Sequence, residues 1–190
     1  FKTKKFFVVL TQIVTGVGFG LVALSLQLPS FFAVCIALLA IIAFSGATHD
    51  IATDGVYMSE LNKQEQAKYI GWQGAFYNIA KIVASGGLVW LAGWLLTKFN
   101  EGGGAEAQQE ATVKAWMTVM LILGGVMLLL GFYHARILPS GGKQEEVQQY
   151  TASETLKRLL EVIGDFFKKK HIWYYIAFII IYRLAEGFVM

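Results

Sequence analysis

Charged residues are scarce in this sequence. They form 15% of its 190 residues, compared with about 25% in a typical soluble domain, whereas 56% of the residues are hydrophobic. So few charges cannot cover the surface of a water-soluble globule, and this excludes a soluble domain. The net charge of +3 is small and the basic residues are scattered, which excludes nucleic acid as a partner.

Cysteine and proline are nearly absent as well. Cys35 is the single cysteine, so the sequence offers neither a disulfide framework nor a cysteine metal cluster. His49 and His134 have no second ligand at a suitable spacing, and we expect both to form hydrogen bonds at helix interfaces rather than to bind a metal. The sequence therefore predicts neither a metal site nor a cofactor.

Long apolar runs dominate what is present. A helix that spans the hydrocarbon needs about 20 mostly apolar residues, and a helix satisfies its own backbone groups in lipid. A fifth such run begins near Ile172, after four complete ones at 6–28, 31–57, 69–96 and 113–133. Neither Phe1 nor Met190 resembles a natural terminus, so we expect a piece of a longer chain whose remaining helices complete the bundle.

The basic residues between these runs predict the orientation of the chain. Twelve of the 16 lie in segments 1–5, 58–68 and 134–171, whereas Lys98 and Lys114 lie in the opposite connections. Because cytoplasmic loops carry the excess of Lys and Arg, these three segments are predicted to be cytoplasmic. The sequence thus predicts a multi-pass membrane protein.

Segment 139–170 differs in kind from the other connections. Pro139 breaks the preceding helix, and Thr151 with Glu154 predicts a capping box. Apolar residues then recur at helical spacing with charges between them, which predicts an amphipathic cytoplasmic helix along the membrane surface, ended by the basic run 168–170. The segment is either a regulatory or partner-binding segment or a linker, and its form favours a linker. It would join an N-terminal bundle (1–138) to a C-terminal bundle, of which 171–190 is the start.

Some ionisable side chains lie inside the apolar runs, where each charge costs about 2.5–3.5 kcal/mol on insertion. At a rise of about 1.5 Å per residue, Asp50, Lys81 and Arg183 lie about 15–16 Å along their helices from the cytoplasmic side, with Glu186 somewhat deeper. Three helices therefore present ionisable groups at a similar depth. This convergence predicts a shared polar cavity.

Alternative roles remain open for each of these side chains. Asp50 is either a proton carrier or one half of a structural ion pair with Lys81. Asp54, one turn nearer the cytoplasm, belongs either to the site or to an interfacial pair with loop lysines. Arg183 and Glu186 are close enough to pair along one helix, but Arg183 also suits an anionic substrate group while Glu186 accepts protons.

Small residues and an aromatic residue in the spans suggest roles in helix packing or in the substrate path. Gly16 and Gly20 form a GxxxG pattern, which predicts close helix packing. The run from Ser85 to Gly87 predicts either close packing or a hinge. Tyr77 is either a residue of the substrate path or an anchoring and packing residue.

Four blocks of the sequence resemble one group of known transporters, the AmpG-type branch of the major facilitator superfamily, which contains the muropeptide permeases and their relatives. The resemblance implies an all-α membrane protein with a major-facilitator-type helical bundle. This chain covers the third to the sixth helix of that bundle, then the central loop and part of the seventh helix. It therefore contains four complete transmembrane helices and part of a fifth. The blocks are Lys4-Lys5-Phe6-Phe7 with Thr11-Gln12; Asp50 to Gly55 with Glu60-Leu61; Ser85 to Leu88 with Trp90 to Ala92; and Tyr182-Arg183-Leu184 with Glu186 and Phe188.

The resemblance further implies a proton-coupled secondary transporter of the inner membrane that imports a muropeptide, a sugar or a related small polar solute. It implies Asp50 and Glu186 as the coupling and substrate-site carboxylates. A non-transporting receptor or scaffold of the same fold is an alternative, and a membrane-embedded transferase is disfavoured because the loops lack a His/Asp/Ser set, so we expect no enzyme. The expected partners are the solute, protons, the lipid bilayer and the remaining helices. Substrate or ion-pair contacts are expected from Lys81, Arg183, Asp54, Tyr77 and Asn78.

Overall fold

The structure, a computed structural model, describes residues 3–100, 102–141 and 151–189, without the side chains of residues 152, 155 and 185–189. Two compact units, Phe1–Gln144 and Glu145–Met190, are each described by themselves. Their boundary falls inside the predicted loop 139–170, of which residues 142–150 lie outside the described part. Every regular element in the described ranges is helical: α1 (Lys4–Ser25), α2 (Phe31–Glu60), α3 (Lys63–Ile82), a π-helical turn (Val83–Gly87), α4 (Leu88–Phe99), α5 (Ala105–Ile137), α6 (Ala152–Lys168) and α7 (Ile172–Val189).

The predicted spans are confirmed as helices. Four helices are long and apolar enough to cross a membrane: α1, α2, the continuous helix Lys63–Phe99 and α5. A shorter apolar helix, Ile172–Leu184, follows in the second unit. The all-α fold class is therefore confirmed, as is the number of complete spans.

Several helices extend beyond the apolar runs that predict them. A capping box between Asn62 and Glu65 starts α3 at Lys63, ahead of the predicted start at Tyr69. Likewise α5 begins at Ala105, before the predicted Val113. Hydropathy marks the part of a helix that lies in lipid, whereas caps and polar turns continue the same helix into water.

In the first unit, α1 lies between α2 and α5 and packs extensively against both. A Cβ atom added at Gly124 of α5 would lie 2.7 Å from the backbone oxygen of Gly16 and 3.4 Å from the nitrogen of Gly20. The close packing predicted from the GxxxG pattern is thus present, because only hydrogen atoms fit between the two backbones. On the other side of α5, α4 contributes to a small apolar core of Ala92, Leu95, Ala115 and Val119.

A π-helical turn at Val83–Gly87 joins α3 to α4 without ending the helix. Its glycines do not pack closely, since a Cβ at Gly86 would meet nothing within 4 Å in the described part of the chain. The packing interpretation of Ser85 to Gly87 therefore finds no support here, and the hinge interpretation stays a prediction. Such turns often mark functional positions in helices.

The second unit consists of α6 and α7, joined by a tight turn at His171, which has a positive φ of 64°. The predicted capping box is confirmed: the backbone N–H and the hydroxyl of Thr151 both donate to Glu154 Oε2 at 2.8 Å. These hydrogen bonds hold the pKa of Glu154 below its ordinary value; desolvation opposes them, and the charge of Arg158 adds a weaker lowering effect. Because the folded-state pKa is lowered, the cap stabilises α6 at neutral pH and is lost as the pH falls through that pKa.

The contact between α1 and α5 yields a test with an internal control. We expect Gly124→Ala to destabilise the bundle by about 1–3 kcal/mol, because its methyl group collides with a backbone atom that cannot move alone. The neighbouring Gly125→Ala has open space around it and should leave stability unchanged or slightly higher. Thermal unfolding of the full-length protein in detergent measures both, and equal melting of the two variants would contradict this packing.

Candidate functional site

Helix α2 carries uncharged polar groups on one face and carboxylates on the other. Ser45 and Val56 are buried toward α1, with His49 and Thr53 between them on the same side. Asp50 and Asp54, four residues apart, lie together on the exposed side. The two carboxylates that the sequence singles out therefore share a face that α1 does not cover.

Asp50 is open to its surroundings. Its side chain is 84% exposed, and its Oδ1 atom lies 3.8 Å from Nδ1 of His49, whose side chain is 25% exposed. A carboxylate in this position can exchange protons and can also be reached by a cation. The half-buried imidazole beside it links the exposed face of α2 to the face that packs against α1.

The predicted site residues of α3 also lie on an exposed helix, which has no buried residue in the described structure. The ammonium group of Lys81 lies 5.8 Å from the centre of the Tyr77 ring, within the range of a cation–π contact. The side-chain amide of Asn78 donates to the backbone oxygen of Gly74 at 3.0 Å. The structure thus brings Lys81 to Tyr77, and it brings Asp50 to His49.

Asp50 and Lys81 lie on helices that are adjacent in sequence but do not pack extensively side by side in the described part of the chain. A structural ion pair between them therefore stays a prediction, as does the common depth of the ionisable groups. On α7, Arg183 lies on an exposed turn. The side chain of Glu186 lies outside the described residues.

A network of uncharged polar side chains between α1 and α2 escaped prediction from the sequence. The hydroxyl of Thr15 donates to Ser45 Oγ at 3.2 Å, and Ser45 in turn donates to the backbone oxygen of Thr11 at 3.0 Å. All three residues are buried. Their signal was present as polar residues within apolar runs, but serine and threonine also bond within their own helix, so the pattern alone does not identify partners.

The network continues from α1 to α5. Gln12 is 3% exposed, and its Oε1 atom lies 3.0 Å from Nδ1 of His134. The interface role predicted for His134 is therefore confirmed. On α2, His49 Nε2 and Thr53 Oγ1 are buried and have no hydrogen-bond partner among the described residues.

The backbone after α5 connects the ends of three helices, on the side that the sequence predicts to be cytoplasmic. Glu60 at the end of α2 accepts a hydrogen bond of 2.9 Å from the N–H of Gly141, and the N–H of Lys5 in α1 donates to Ser140 at 3.5 Å. Gly141 has a φ of 89°, and a Cβ there would lie 2.8 Å from Cβ of Lys4. Two blocks that carry the family resemblance, around Lys4 and around Glu60, therefore meet in space.

Neither cavities nor metal-ligand clusters identify a ligand site in the described residues. An open groove of about 620 Å³ runs between α1 and α2, and it is lined by Phe7, Ile51 and Met58 among mostly apolar neighbours. No group of three His, Cys, Asp or Glu residues within the described ranges could hold a metal ion. Asp50 and Asp54 on the exposed face of α2 and the half-buried Lys81 on α3 remain the candidate site of this unit.

The hydrogen bond between Gln12 and His134 can be tested by a double-mutant cycle. We expect Gln12→Leu to cost about 0.5–1.5 kcal/mol, because the half-buried imidazole of His134 loses its partner. The double variant Gln12→Leu, His134→Phe should cost less than the sum of the two single changes. Unfolding of the full-length protein in detergent measures all three, with Ser59→Ala on an exposed turn as control; strictly additive losses would argue against a direct bond.

A comparison with known protein families covers the whole chain. The sequence model of the Major Facilitator Superfamily matches residues 1–190. Neither the curated proteins nor the solved structures contain a match. The match agrees with the all-helical fold and its four apolar spans. The chain belongs to the Major Facilitator Superfamily, whose members are membrane transporters of small molecules and not enzymes.

Proposed function

We propose that this protein is a proton-coupled importer of the inner membrane, and that Asp50 carries the coupled proton. The observation that supports this role most directly is the position of Asp50 on the face of α2 opposite the contact with α1, with its Oδ1 atom 3.8 Å from Nδ1 of His49. A carboxylate within an apolar span is costly unless it has a function or a partner. A carboxylate that stays accessible on such a helix can bind and release protons as the surrounding cavity opens to either side.

The uncharged network on the opposite face of α2 supports the same proposal. Ser45 and Thr15 hold α2 against α1 through hydrogen bonds between neutral groups. Their strength does not depend on whether Asp50 is ionised. Asp50 can therefore change its charge once per transport cycle while the contact between α1 and α2 stays intact.

In the proposed cycle, two halves of the full bundle alternate around a central site near the midplane, as secondary transporters do. Asp50 takes a proton from the outer side and becomes neutral. Its neutralisation releases a cationic partner, either Lys81 or a group of the substrate. Proton loss to the cytoplasm then restores the carboxylate and resets the site.

The substrate class that we propose is a muropeptide, a sugar or a related small polar solute. Lys81 and Arg183 provide cationic groups for an anionic substrate, and the planar guanidinium of Arg183 suits a carboxylate. Tyr77 offers a large exposed ring beside Lys81, and Asn78 offers an amide. We assign Glu186 the role of the second proton-coupling carboxylate. We assign Asp54 a supporting ion pair at the cytoplasmic side.

Neutralising Asp50 tests the coupling. In proteoliposomes with the full-length protein, Asp50→Asn should abolish accumulation of a labelled anhydromuramyl peptide driven by a pH gradient. Exchange of that solute without a gradient should persist, because it needs no net proton movement. The matched control is Glu110→Gln, which removes an exposed carboxylate paired with Lys114 at 2.7 Å on the predicted outer side; it should transport normally.

The same assay separates a transporter from a receptor or scaffold. Wild-type protein that shows neither gradient-driven uptake nor exchange of any tested solute would favour the non-transporting alternative. Normal uptake by Asp50→Asn with an unchanged pH profile would instead reject Asp50 as the proton carrier while leaving transport itself in place.

A further inference from the structure

Helix α6 exposes a continuous apolar face. Six large side chains are each between 43% and 60% exposed: Leu156, Leu159, Leu160, Ile163, Phe166 and Phe167. At about 100° per residue they fall within roughly a third of the helix circumference. An exposed stripe of this size on a helix marks a surface that another apolar phase covers.

The charges of α6 are ordered around this face. Glu161 and Asp165 project opposite the middle of the apolar stripe, while Lys157 and Arg158 flank them on either side. The carboxylates are therefore the charges farthest from the apolar face. This order suits a surface with an apolar interior and a layer of anionic groups above it. The basic residues at the sides of the helix reach the anionic layer, and the acidic residues point into water.

The turn between α6 and α7 fixes where the end of α6 can lie. Only residues 169–171 separate the two helices, so the end of α6 stays within about 14 Å of the start of α7. The rings of Phe167 and Trp173 stack across this turn at 5.5 Å. The apolar face of α6 is thereby continuous with the exposed aromatic residues that begin α7, which are typical of the membrane interface.

Lysine residues are concentrated at the same turn. Lys168 is the last residue of α6, and Lys169 and Lys170 follow it directly before α7. Lys168 lies 3.5 Å from Asp165, and the ammonium group of Lys169 lies 5.9 Å from the Phe166 ring. The lysine side chains are thus concentrated beside the edge of the apolar face, where they can meet anionic headgroups.

We propose that α6 is an interfacial helix that binds the bilayer surface through Leu160 and its apolar neighbours and binds anionic headgroups through the lysine run. The ligand is an anionic phospholipid membrane, such as one that contains phosphatidylglycerol. This binding goes beyond the proposed transport function and can be measured without a substrate. A linker helix that stays in water and a helix that docks on protein are the competing outcomes.

Single fluorescent labels on the two faces test the orientation. In full-length protein with Cys35→Ser, a nitrobenzoxadiazole label is attached at Leu160→Cys on the apolar face or at Glu161→Cys on the polar face. In nanodiscs of phosphatidylcholine and phosphatidylglycerol, we expect blue-shifted emission and quenching by spin-labelled lipid at position 160 only. A label at 160 that lipid-borne quencher does not reach, or equal quenching at both positions, overturns the proposal.

Charge neutralisation tests the lipid class. Lys169→Gln with Lys170→Gln should lower the ratio of docked to undocked helix about 30-fold in anionic discs, at about 5-fold per lysine. In pure phosphatidylcholine the same pair of changes should have little effect. The control, Lys63→Gln with Lys68→Gln, removes two cytoplasmic charges outside α6 and should leave docking unchanged. Equal docking of all variants in both lipids would overturn the role of anionic headgroups.

Discussion

The close approach of α1 to α5 at Gly16 and Gly124 is the contact on which the first unit depends. Lipid tails are as apolar as the helix surfaces, so no hydrophobic gain drives these helices together. Tight backbone packing and buried hydrogen bonds have to hold them instead. Because the two backbones are so near, Gln12, one turn from Gly16 on α1, can reach His134 on α5. On its other side, α1 still presents Thr15 to α2.

Helix α2 separates what holds the bundle from what can change charge. Its contact with α1 uses hydroxyl groups that stay neutral at every physiological pH, whereas its carboxylates lie on the uncovered face. His49 stands at the border between the two sets. A buried carboxylate in this contact would couple proton binding to helix separation, with a large penalty for an unpartnered charge. The observed arrangement avoids that penalty.

Most of the fold could be predicted from the sequence, because the length of an apolar run and the chemistry of a cap are local properties. The spans and the Thr151 capping box are read from such signals. Helix starts were less accurate, as at Ala105, because polar turns that continue a helix into water leave no mark in hydropathy.

The sequence singles out the residues of the candidate site, which stay a prediction, but it does not indicate the contacts of the helices around them. Asp50 and Lys81 stand out because charges are rare in apolar runs. The partner of Gln12 does not stand out, since it lies on a helix far away in sequence and is set by the approach of two glycines. The π-helical turn was equally hidden, because a single extra residue in a turn alters neither composition nor periodicity enough to be recognised.

That turn has a geometrical consequence for Lys81. In an unbroken α-helix, Lys81 and Ala92 are eleven residues apart and would project in nearly the same direction, so the lysine would point along the apolar contact of α4 with α5. One inserted residue rotates the helix before the turn by about 100° relative to the helix after it. The π-helical turn at Val83–Gly87 therefore changes the direction of Lys81 relative to that apolar contact without interrupting the helix.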